Sequence, residues 1–150
     1  MKDCEINSVK DKLYHIKLSS IENDGERIKY IKNPSEEMQF AAIKFNASNI
    51  TFIKNPTTKI ILYAYKSVPR TLSMVENQPE EVQLYAIEND YYDIQYINNP
   101  TEKVILRFLE ILSAETNPNY NLLFYLDEEK LSEKCLNVLY DLLIIRDIIE

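Results

Sequence analysis

The sequence predicts an all-α fold, a short α-solenoid-like stack of helix-turn-helix repeats with a capping helix at each end. Three observations carry this. One phrase recurs four times at a constant interval, as IKYIKNPSEEM (28–38), ITFIKNPTTKI (50–60), LSMVENQPEEV (72–82) and IQYINNPTEKV (94–104). Its apolar anchors repeat every 22 residues: Ile28, Ile50, Leu72, Ile94, then Ile31, Ile53, Val75, Ile97, then Met38, Ile60, Val82, Val104. A strict period of this size marks a stacked repeat array. Finally, the chain has one glycine in 150 residues, too few for the tight turns of sandwiches, barrels or phosphate-binding loops.

Taken in order, residues 5–18 place Ile6, Val9, Leu13 and Ile16 at helical spacing and read as an amino-terminal cap helix. The repeats occupy about 21–112. Each opens with a proline (Pro34, Pro56, Pro79, Pro100), which suits a helix start because the missing N–H has no partner there. Asn33, Asn55 and Asn99 precede it as expected caps, and Glu36 and Glu102 fall three residues later, as a capping box requires. Thr58 interrupts that pattern in the second copy, and the third places its proline one residue late.

A helix of about ten residues follows each proline. Ala42, Ala64 and Ala86 are small at one inward position, where Phe108 stands in the last copy, the substitution expected where a stack ends. The second segment of each repeat (ERIKYIK, SNITFIK, RTLSMVE, YDIQYIN) fits a short helix or an alternating strand. A strand would give a leucine-rich-repeat-like horseshoe, but the leucine and asparagine ladder of that fold is missing. Residues 117–120 break the pattern, and the carboxy-terminal cap covers about 118–150, its helix starting at Asp127. That helix carries Leu131, Cys135, Val138, Leu142, Ile145 and Ile149 at near-heptad spacing, with Leu136, Leu139, Leu143, Ile144 and Ile148 elsewhere around it. Such breadth of apolar surface reads either as a cap closing the stack or as a homodimer seam.

Length and composition fit a single folded domain: 45% hydrophobic, 27% charged, net charge −7. No apolar run is long enough to span a membrane, and the amino terminus has no signal-peptide core, so a cytoplasmic location is expected. Cys4 and Cys135 then read as free thiols.

The phrases IKNPSEEMQFAAIK and INNPTEKVILRFLE resemble the short helical repeats, I-x-N-P-[ST]-E-x-x-Q-x-x-A-[IV], of uncharacterised phage, bacterial and giant-virus proteins. The resemblance covers about Ile21 to Leu112 and lapses at Thr58, Gln78 and the Val68-Pro69-Arg70 loop. It implies a solenoid-like stack and a mobile-element origin, and it transfers no activity, cofactor or functional residue.

Catalytic chemistry finds little support. His15 is the sole histidine, so no histidine-based metal cluster or catalytic triad can be assembled. Nucleotide-binding and nucleophile-elbow motifs are absent, and no cofactor or metal is expected. Asp90 and Asp93 read as acids of a solvated loop. Direct nucleic-acid binding is disfavoured because the basic residues are interleaved with acids.

Charge is unevenly spread. Residues 1–70 hold 12 basic and 8 acidic side chains, and 103–150 hold 5 and 9. Residues 71–102 hold seven acids (Glu76, Glu80, Glu81, Glu88, Asp90, Asp93, Glu102) and no lysine or arginine. With Tyr91 and Tyr92 among them, this stretch suggests a protein-binding surface of Tyr85, Glu88, Asp90, Tyr91, Tyr92 and Asp93 for a partner with a basic surface. The expected function is a non-enzymatic binding module, such as a phage-encoded inhibitor of a host nucleic-acid-binding or defence protein. The alternative is a sequestering protein that holds a small nucleotide-like ligand between helices or at a dimer seam, through Arg27, Arg70 or Arg107.

Overall fold

The computed structural model describes residues 2–149, and the side chains of residues 8–144. The side chains of Cys4, Ile6, Ile145, Ile148 and Ile149 lie outside the described residues. Six α-helices alternate with short 3-10 helices, here labelled η, and no strand occurs among the described residues. The order is α1 (Lys2–Asn23), η1 (Gly25–Tyr30), α2 (Glu36–Phe45), η2 (Ala47–Phe52), α3 (Thr58–Ser67), η3 (Pro69–Met74), α4 (Glu80–Asn89), η4 (Tyr91–Tyr96), α5 (Glu102–Ala114), η5 (Tyr120–Tyr125), η6 (Glu128–Lys130) and α6 (Glu133–Ile149).

The ambiguous second segment is therefore helical, and the strand alternative falls. It is a 3-10 helix of six residues, longer than such helices usually run. Packing explains its persistence: Ile28, Ile50, Leu72 and Ile94 are all buried within it, and Ile53, Val75 and Ile97 are buried just after it. Fully burying one such side chain is worth about 1.5–3 kcal/mol. Each run closes identically, the amides of Ile31, Ile53, Val75 and Ile97 donating to the carbonyls of Ile28, Ile50, Leu72 and Ile94.

The helix starts differ from the sequence expectation. The cap is the residue after the proline: Ser35, Thr57 and Thr101 are extended, and their hydroxyls accept the amides of Met38, Ile60 and Val104. Asn33, Asn55 and Asn99 lie outside the helices. The third helical position is apolar, so the capping box is absent, and Glu36 and Glu102 act in the first turn through the helix dipole. In the third copy Pro79 itself occupies the cap position and offers no side-chain acceptor. Gln78 ties that loop instead, its Nε2 donating to the Tyr96 carbonyl and its Oε1 accepting the Asn98 amide, both at 3.0 Å.

One residue serves both helices at three of the reversals; at the α3–η3 reversal Val68 closes the α-helix and Pro69 begins the next turn without a side-chain cap. Asp24, Asn46 and Asp90 end an α-helix, with the Asn46 and Asp90 amides bonded to the carbonyls of Ala42 and Ala86. Their side chains then accept the amides of Glu26, Ser48 and Tyr92, opening the next 3-10 turn.

The chain divides into two compact units, Met1–Val75 and Glu76–Glu150. In the first, α1 packs on α2 and α2 on α3, while η1 packs on η2 and η2 on η3. Its core comprises Ile21, Ile28, Met38, Ala42, Ile43, Ile50, Ile60, Ala64 and Tyr65. In the second, α4, α5 and α6 pack in sequence, and η4 packs on η5. Val82, Ala86, Ile87, Ile94, Val104, Phe108, Leu109, Leu112 and Cys135 fill it.

The carboxy-terminal region is a fifth, degenerate repeat. Asn119 opens η5 by accepting the Asn121 amide, as Asp90 opens η4. The final helix begins at Glu133 rather than Asp127, with Ser132 accepting the Cys135 amide in the manner of Thr101 and Val104. Ser132-Glu133-Lys134-Cys135 thus repeats Thr101-Glu102-Lys103-Val104. Phe108 is accordingly fully buried inside the unit, so it does not mark the stack's end. Nor is α6 buried on all sides: Cys135, Leu139 and Leu142 are buried, while Val138, Tyr140 and Ile144 are exposed.

Two positions give stability tests. Gly25 has no positive φ, so its role is space: an added Cβ would sit 2.5 Å from Asn49 Nδ2, 2.9 Å from Phe45 Cβ and 3.0 Å from the Ala42 carbonyl. Gly25→Ala should destabilise the protein by about 1–3 kcal/mol in urea unfolding. The buried Gln83 amide donates to the carbonyls of Gln78 and Asn99 and accepts the Thr101 amide, joining α4's loop to the next. Gln83→Ala strands all three groups and should cost about 1–3 kcal/mol by the same measurement.

Candidate protein-binding surface

The acidic stretch falls mainly in the second unit, and the structure separates its predicted site residues into three places. Asp90, Tyr91 and Tyr92 are brought together at the start of η4. Asp90 faces solvent and holds the turn through the Tyr92 amide at 2.9 Å. The Tyr91 and Tyr92 rings are tilted against each other with centroids 4.6 Å apart. Tyr91 is half-buried and Tyr92 is exposed. The Tyr91 phenol is pushed up to about 12, first by its hydrogen bond with Tyr92, then by burial and by the charges of Tyr92 and Glu115.

Tyr85 and Glu88 form a second place, on the exposed side of α4, three residues apart and so on one face. Glu88 is engaged by Arg107 of α5, Oε1 to Nε at 3.2 Å. The same guanidinium holds Glu110 at 2.8 Å, and both carboxylates, Glu110 more than Glu88, raise the arginine's pKa.

Asp93 is the exception. It is 6% exposed, so it belongs to the packed side of η4 and drops from the contact surface. Its equivalents Asn49 and Thr71 are buried too, Asn49 donating to the Ala42 carbonyl and Thr71 to the Val68 carbonyl. A buried polar residue just before the buried aliphatic of η2, η3 and η4 is thus a framework feature. The solvated-loop reading of this acid fails for that reason.

Sequence reasoning missed a groove along α4, α5 and α6, about 1080 Å³ in volume. Leu84, Leu106 and Val138 line it among Glu80, Arg107 and Lys134. The polar pairs on its wall follow a two-repeat period of 44 residues that was present in the sequence. Glu80 meets Thr101 at 2.7 Å and Lys103 at 3.6 Å. In the first unit Glu36 meets Thr57 at 3.3 Å and Lys59 at 3.7 Å. These exposed pairs set register more than stability, since each is worth about 0–1 kcal/mol.

The arginines of the nucleotide alternative are divided between the two units. Arg27 pairs with Asp24 at 3.3 Å in the first unit, and Arg107 is held between two glutamates in the second. Arg70 is exposed near the start of η3. Among the described residues no group of three or more His, Cys, Asp or Glu side chains could hold a metal ion, and no helix is long and apolar enough to cross a membrane. Cys135 is a free, buried thiol.

The tyrosine pair gives a pH test. A phenol whose folded pKa is raised stabilises the fold fully below its unfolded value near 10, and that contribution disappears as pH climbs toward about 12. Ultraviolet titration should show one tyrosine ionising near pH 12, and Tyr92→Phe should return it toward the usual range by removing the hydroxyl partner. Comparison of the chain with family models, with curated proteins and with solved structures gives no match, so its surface chemistry stands alone as a guide to function.

Proposed function

We propose that this protein is a non-enzymatic binding module that engages a protein partner with a basic surface. The carrying observation is the charge of 71–102: seven acids with no lysine or arginine, of which all but Asp93 are exposed. A surface of this kind raises encounter rates with a cationic partner and rejects nucleic acid by repulsion. Tyr92, exposed beside Tyr91 and Asp90, supplies the contact area at low entropic cost that charge alone lacks.

The finer reading extends this by chemistry. A partner whose basic surface normally receives phosphate would be blocked by carboxylates placed there instead, so the module would act as an inhibitor of a nucleic-acid-binding or defence protein. A phage or mobile-element origin, which the repeat resemblance implies, belongs to the same proposal, and so does cytoplasmic action. The contact residues are Tyr85, Glu88, Asp90, Tyr91 and Tyr92.

The test compares partner capture by the wild type and by Glu76→Gln/Glu81→Gln/Asp90→Asn/Tyr92→Ala. Asparagine keeps the acceptor that opens η4, as Asn46 and Asn119 do in their own turns, so the fold is retained. The variant should bind the captured partner at least about tenfold more weakly, and added salt should weaken the wild-type complex. Equal affinity for wild type and variant would remove this surface from the function.

A further inference from the structure

We propose that the chain associates head to tail with a second copy of itself, α1 of one molecule seating in the groove between η5 and α6 of the next. Repeat register supports this. Ile16 stands 22 residues before Met38, the position that Ile60, Val82 and Val104 occupy in later helices. Met38 is 3% exposed and the other three are fully buried, whereas Ile16 is 66% exposed. Val9 and Leu13 extend Ile16 into an exposed stripe at helical spacing. At Ile16 the amino-terminal helix thus presents to solvent the side chain that its counterparts use for packing.

The last unit presents the converse. In the copy before it, Ile94, Ile97, Phe108 and Leu112 of η4 and α5 are buried, with η5 and α6 packed on those elements. Of their counterparts, Leu126 and Leu139 stay buried while Leu123 and Leu143 are only half-buried; the four line a groove of about 470 Å³, with Phe124 88% exposed beside them. Tyr140, the counterpart of the buried Leu109, is also exposed. The repeat interface therefore has an exposed donor stripe at α1 and a partly uncovered acceptor half at η5 and α6.

Charge favours the same pairing. Residues 8–18 carry Lys10, Lys12 and Lys17 against Asp11, and the groove is edged by Glu128 and by Asp127, which Lys130 of its own chain engages at 2.6 Å. Such a contact joins two different surfaces, unlike a symmetric seam between two α6 helices, and it propagates unless a ring closes.

Sedimentation of the full chain tests this. The wild type should gain mass with concentration, and added salt should reduce the gain. Leu13→Glu/Ile16→Glu, which blocks the helix, and Phe124→Glu, which blocks the groove, should each remain single chains with wild-type melting curves. Mixed, the two should form a one-to-one complex, because each retains the half that the other has lost. A wild type that stays a single chain at every concentration overturns the proposal. So does a helix-blocked variant that still self-associates, or a mixture that forms no complex.

Discussion

The structure depends on one constraint, the burial of an aliphatic side chain at the same point of every 3-10 turn. Ile28, Ile50, Leu72 and Ile94 recur at 22 residues because one α-helix, one reversal, one short 3-10 helix and one proline loop consume that length. A 3-10 helix has poor hydrogen-bond geometry and seldom runs to six residues by itself. Here each turn is closed by the amide that follows it, and its buried aliphatic is covered by neighbouring elements. Packing supplies what backbone preference does not.

Economy at the reversals follows from the same constraint. At three reversals a single Asp or Asn ends one helix with its amide and opens the next with its side chain. At the α3–η3 reversal Val68 does the first and Pro69 begins the turn, so no glycine with positive φ is needed. That explains a nearly glycine-free chain better than helicity alone. Gly25 is present for lack of room beside Asn49 and Phe45; the later copies carry Ala47, Pro69 and Tyr91 at that position.

Much of this was legible in the residues. The anchors, the order of the elements and the all-α class follow from period and proline placement. The helix starts did not, because Asn-Pro drew the cap two residues early; the residue after proline is the one free to turn its hydroxyl back onto the third amide. The fifth repeat was hidden by lengthened connections before η5 and around η6, although Ser132-Glu133-Lys134-Cys135 matches the fourth copy residue for residue in type. Of the proposed contact residues, five keep solvent access, while Asp93 is buried because alternating exposure along a 3-10 helix cannot be judged from charge. The 44-residue alternation of Glu36, Gln39, Thr57 and Lys59 with Glu80, Gln83, Thr101 and Lys103 was readable and passed unnoticed beneath the stronger 22-residue signal.

Such a framework frees its exposed positions to vary, since the buried anchors alone hold the register. Amide hydrogen exchange read residue by residue tests that framework most directly. Slow exchange should recur at Ile31, Ile53, Val75 and Ile97, which close the 3-10 turns, and at Asn46, Val68 and Asp90, which close the α-helices. Rapid exchange at these amides, or protection that ignores the 22-residue spacing, would contradict it.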